Sequence, residues 1–110
     1  MNDPHKAVDF IIANSRRYAQ AKAHRIFLEE FRKSKKALLM KDALARGYEA
    51  VNAQEREAYS DKDYLEILAG IKEATAEEEE LRWLLEAARM RVDIWRTEES
   101  TARHQIKVTL

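Results

Sequence analysis

Between Tyr64 and Ile106, apolar residues recur at spacings that alternate between three and four without a slip. The series is Tyr64, Ile67, Ile71, Ala74, Glu78, Leu81, Leu85, Ala88, Val92, Trp95, Glu99, Ala102 and Ile106, interrupted in character only by Glu78 and Glu99. Each residue advances about 100° around an α-helix, so this alternation holds one narrow stripe on one side, as in the seam of a coiled coil. A second row, Trp83, Ala87, Met90 and Ile94, runs beside it. One partner helix covers one seam, so the two rows call for a third helix or another subunit.

Upstream the pattern is looser. Val8, Ile11, Ile12, Tyr18, Ile26, Phe27, Leu28, Phe31, Leu38, Leu39, Met40 and Leu44 make a broad stripe rather than a strict heptad seam. Asp3 is a good N-cap, Pro4 suits the first helical position, and no further Gly or Pro occurs before Gly47. A first helix is predicted over about 4–46, with the polar or small stretch 13–23 as the place where it would break. Gly47 is a natural stop. Within the connector 47–60, Asn52-Ala53-Gln54-Glu55 has the form of a capping box and predicts a short helix over about 53–58. Ser60-Asp61-Lys62-Asp63 opens the second long helix, with Ser60 as the expected cap and an end near residue 103. The tail, Gln105-Ile106-Lys107-Val108-Thr109-Leu110, alternates apolar and polar and reads as a short strand, a frayed end or a docking peptide. The expected fold is all-α: one domain, 1–110, a long antiparallel helical hairpin with a short connecting helix, coiled-coil-like and oligomeric.

Composition narrows the alternatives. With two Gly and one Pro, a many-stranded β fold has nothing to turn its corners with. A slender helical pair buries little core alone, so self-association is expected. No Cys is present, which removes disulfides, zinc–thiolate sites and cysteine nucleophiles. No apolar run approaches the roughly 20 residues that span a bilayer, and the first residues do not form a basic-then-apolar leader. The expected location is the cytoplasm, that of the host cell if a phage encodes the chain.

The chemistry of an enzyme is not visible. No Gly-rich loop is present to cradle a phosphate. His5, His24 and His104 are far apart and lack metal-ligand spacing, and Ser60 is better explained as a cap than as a nucleophile. The four acids at 77–80 point in four directions around a helix, as on a solvated face. The expectation is a non-enzymatic protein with no cofactor and no metal.

The formal net charge is zero, but the blocks 1–46, 47–80 and 81–110 carry +6, −8 and +2. In an antiparallel hairpin Arg32, Lys33, Lys35, Lys36 and Lys41 fall beside the acids Asp61, Asp63, Glu66, Glu73 and 77–80. At the other end both helices are basic. Arg82, Arg89, Arg96 and Arg103 recur every seven residues, a ladder with rungs about 10.5 Å apart. Such a ladder serves either to contact phosphates or to pair with acids on a neighbouring helix. The candidate set for binding single-stranded DNA is Arg16, Arg17, Lys22, Arg25, Arg82, Arg89, Arg91, Arg96 and Arg103, of which Arg16, Arg17, Lys22, Arg25, Arg89, Arg91 and Arg96 are expected to form one contiguous positive surface when the hairpin closes. Trp83 lies off the seam and suits a partner surface, whereas Trp95 lies on it and suits packing. The candidate oligomer interface is Leu81, Trp83, Leu85, Ala88, Met90, Val92 and Trp95, joining copies of the chain.

A basic first helix, a polar connector and a helix reading Tyr59-Ser60-Asp61-Lys62-Asp63, then Leu81-Arg82-Trp83-Leu84, then Arg91-Val92-Asp93-Ile94-Trp95-Arg96, resembles small bacteriophage proteins of DNA recombination and replication. The type it is similar to is the recombination mediator of the UvsY kind, a likeness of architecture over most of 26–104. This chain is shorter and has zero net charge. The resemblance implies a non-enzymatic oligomer that binds single-stranded DNA and helps a recombinase displace a single-strand-binding protein. It carries over no site residues. The alternative is a helical interaction module that self-assembles or caps and inhibits a host protein.

Overall fold

The computed structural model describes residues 3–109 and consists of three helices: α1 (Pro4–Ala45), α2 (Val51–Tyr59) and α3 (Lys62–Thr109). The fold class is the expected all-α helical hairpin with a short connecting helix. Two expected details of the long helices differ. Helix α1 runs through 13–23 without a break, because that stretch is filled with helix formers and its small residues meet no steric obstacle. Helix α3 continues to Thr109, so the tail described through that residue is helix and not strand. Its polar positions are compatible with a helix exposed on every side, and Leu110 lies outside the described residues.

Helix ends explain how the chain turns. Asp3 caps α1 as expected: its Oδ1 accepts from the backbone N–H of His5 at 2.9 Å and of Lys6 at 3.4 Å. At the other end Gly47 takes φ +103°, Tyr48 N–H donates to Ala43 O at 3.0 Å and Gly47 N–H to Leu44 O at 3.1 Å. This paired pattern is a Schellman stop. The capping box at Asn52 does not form. Helix α2 begins two residues earlier, after Ala50, and has no side-chain cap. Gln54 is instead buried and donates Nε2 to the carbonyls of Tyr48 and Glu49 at 2.9 and 3.2 Å, which ties the turn to the helix. Ser60 also moves role. Its hydroxyl donates back to Arg56 O at 2.8 Å and so closes the end of α2. Asp61 is the cap of α3, its Oδ1 accepting from Asp63 N–H at 2.8 Å and Tyr64 N–H at 3.2 Å.

The chain divides into two compact units, Gln20–Glu78 and Met1–Ala19 with Glu79–Leu110. In the first, the later half of α1 lies antiparallel to the start of α3. Leu28 approaches Gly70, Lys35 bonds Asp63 at 3.5 Å, Lys36 meets Glu55 at 4.0 Å and Arg46 meets Glu57 at 3.4 Å. Opposite charges therefore meet there as the sequence suggests. In the second, Tyr18 shares a groove with Arg82, Trp83 and Leu85, while Ala7 and Phe10 share one with Leu84 and Ala88, again antiparallel.

The seam of α3 is buried from Tyr64 to Ala88 except at half-buried Ile71 and Leu85, half-buried again at Val92 and Trp95, and exposed at Glu99, Ala102 and Ile106. Its partner on α1 is a regular four–three series: Ala7, Ile11, Asn14, Tyr18, Ala21, Arg25, Leu28, Arg32, Lys35 and Leu39, each buried or half-buried. The broad apolar stripe read from the sequence is not the packed face. Ile12, Phe27 and Leu38 are 70%, 62% and 61% exposed. Of the nine buried hydrophobic residues among those described, six are alanines, five of them on the two long helices, so the core is thin.

Candidate nucleic-acid interface

The arginine ladder lies on one face of α3, since residues seven apart differ by only about 20° around a helix. Its first two rungs are engaged locally. Arg82 donates Nε and Nη2 to Glu79 Oε2 at 3.1 and 2.8 Å, and Arg89 donates Nη2 to Glu86 at 3.3 Å. These are partners three residues back on the same helix, not acids of a neighbouring one. The Glu79 hydrogen bond and charge raise the Arg82 pKa above its ordinary value. Arg96 and Arg103 line an open groove with Asp93, Thr97, Ser100 and Thr101 and form no ion pair among the described residues. Trp83 adjoins the first rung. The residue is 62% exposed, and the Arg82 guanidinium carbon sits 4.8 Å from the ring centroid.

Other members of the predicted basic set fall elsewhere. Arg91 follows Arg89 by two residues, hence by about 200°, and lines a groove with Asp3, Lys6, Phe10 and Leu84. It does not belong to the ladder face, which corrects the expectation of one contiguous surface. Arg16 is exposed on α1 in the same unit, with no ion pair among the described residues, and Arg17 is exposed beside it. Lys22 and Arg25 belong to the other unit. Arg25 is turned inward: it donates Nε to Glu78 Oε2, Nη2 to Glu78 Oε1 at 3.0 Å, and Nη1 to Glu29 at 3.1 Å. Glu78 first, and Glu29 after it, raise the Arg25 pKa above the ordinary arginine value. Three of its N–H directions are spent on carboxylates, and it is a packing residue here rather than a phosphate ligand.

The predicted interface residues also divide. Leu81 and Ala88 are 3% and 5% exposed within the single chain, because the α1 seam covers them, so they are core rather than a surface for another subunit. Leu85, Val92 and Trp95 are half-buried. Trp83 and Met90 remain open, and with exposed Ala87 and Ile94 they form the second row along the outside of α3.

Among the described residues no group of three His, Asp or Glu could hold a metal ion, and no helix is long and apolar enough to cross a membrane. The unit bearing the ladder has a formal side-chain charge of only +1, so its attraction for an anion is local and short-ranged. The chain matches no protein-family model, no curated protein and no solved structure.

Proposed function

We propose that this chain is a non-enzymatic accessory protein of DNA metabolism, of the recombination-mediator kind, that binds single-stranded nucleic acid along the ladder face of α3. The observation that carries this reading is the line of four guanidinium groups at heptad spacing, two of them without a carboxylate partner among the described residues, leading from an exposed tryptophan. Such a line offers backbone phosphates several contacts and carries no base-edge code, as expected of binding without sequence preference. The partners that follow are single-stranded DNA, a recombinase or a single-strand-binding protein, and further copies of the chain, which would multiply a weak local contact by avidity.

A second reading, a self-assembling interaction module, draws on the exposed outer row Trp83, Ala87, Met90 and Ile94. Binding of a labelled single-stranded oligonucleotide across a salt titration separates the two. On single strands each phosphate contact contributes about 0.7 to the log–log slope, so Arg96→Ala with Arg103→Ala should flatten the slope by about 1.4 and weaken binding. Absence of any salt-sensitive binding by the parent chain would remove the nucleic-acid reading and leave the interaction module.

A further inference from the structure

We infer that Trp83 is a nucleobase-stacking platform, held ready by Arg82 and Glu79 and placed at the head of the arginine ladder; this rests on the nucleic-acid reading above. Three observations combine. The indole stands on the outer side of α3, away from the seam, and the residue is 62% exposed. Arg82 lies against the ring at 4.8 Å and is itself fixed by two N–H bonds to one Glu79 oxygen, at 3.1 and 2.8 Å. The ring borders a groove of about 430 Å³ shared with Tyr18, Leu85 and Glu86, ample for one base.

The chemistry follows from the arrangement. A guanidinium over an indole restrains the ring and draws on its electron density, while the ring's exposure leaves area for a base to cover. An aromatic ring restrained before binding loses less rotational freedom when a base stacks on it. Stacking is indifferent to sequence because every base has a π-face. With the base on Trp83, the strand's phosphates are free to run toward Arg89, Arg96 and Arg103, rungs about 10.5 Å apart along the helix. Glu79 makes this a different device from simple charge attraction: it lowers the local positive charge yet orders the arginine that orders the ring.

The test uses the full chain and an unstructured single-stranded DNA oligonucleotide. In a Trp95→Phe background Trp83 is the sole tryptophan, and its fluorescence should be quenched on saturation with the oligonucleotide. Trp83→Ala should weaken binding about ten-fold, and Trp83→Phe should retain most of the affinity. The salt slope should stay unchanged in both, because no phosphate contact is lost. Unaltered affinity in Trp83→Ala, while Arg96→Ala with Arg103→Ala still flattens the slope, overturns the platform and leaves the phosphate face standing. A fall in particle mass of Trp83→Ala by light scattering, parallel to the loss of affinity, also overturns it and assigns the ring to a protein interface. No binding by the parent overturns the platform and the functional reading together.

Discussion

Arg25 and Glu78 occupy seam positions where a hydrophobic side chain is the ordinary choice, and their pairing shows what was hidden in the sequence. Glu78 was legible as an interruption of the α3 seam. Its partner was not, because Arg25 stands in a helix whose packed positions include Asn14, Arg25, Arg32 and Lys35, while Ile12, Phe27 and Leu38 point outward. A search for apolar periodicity finds the wrong face of such a helix. The Glu78 side chain is 7% exposed. Removing Arg25 leaves the enclosed Glu78 carboxylate without its guanidinium, whereas removing Glu78 leaves Arg25 partly exposed and still bonded to Glu29. Arg25→Ala should therefore lower the melting temperature by on the order of 10 °C, and Glu78→Ala by less. Replacing both residues with Leu should recover most of that loss, since an apolar pair needs no compensating charge. Thermal unfolding of the two single variants and the double variant measures this. Singles that melt with the parent would show that the pair contributes nothing.

At the scale of elements, type and order were readable and the junctions were not. Long runs of helix formers between Pro4 and Gly47 left little choice, and Gly47 stops α1 through its positive φ as its position suggested. The misassigned caps each had a nearby competitor. Ser60 and Asp61 are adjacent candidates, and the carboxylate took the N-cap because Ser60 was committed to the end of α2. The ladder was legible from its spacing of seven, but the local pairing of Arg82 and Arg89 with acids three residues earlier depends on side-chain rotamers that a spacing does not fix. These junctions make distinct predictions. Asp61→Ala should cost about 1 kcal/mol, as for other N-cap losses, and Ser60→Ala under about 0.5 kcal/mol. Gly47→Ala should cost about 1 kcal/mol from backbone conformation alone, as a Cβ there meets no atom within 4 Å. Urea midpoints of the three variants order them, and a larger loss at Ser60 than at Asp61 would reverse the assignment of the α3 cap.

For the whole molecule, the alanine-rich core and the many exposed large hydrophobics have one cause: two long helices offer each other one narrow seam, and whatever lies off it has no cover within the chain. The heptad seam of α3 revealed the hairpin in advance. Which apolar residues it would leave uncovered depended on the α1 seam, and so could not be read from α3 alone. The spacing of the cross-helix contacts also sets an order in time. Lys35 and Asp63 are 28 residues apart in the chain, whereas Arg25 and Glu78 are 53 apart. Closing the shorter loop loses less chain entropy, so contacts beside the connector are expected to form first and to template those farther out. In stopped-flow measurements Gly47→Ala and Asp61→Ala should mainly slow folding, whereas Glu78→Ala should mainly hasten unfolding. The reverse pattern would place the nucleus away from the connector. A hairpin that closes in this order opens in the opposite one, so the helical turns farthest along the chain from Gly47 are those that let go first when it begins to unfold.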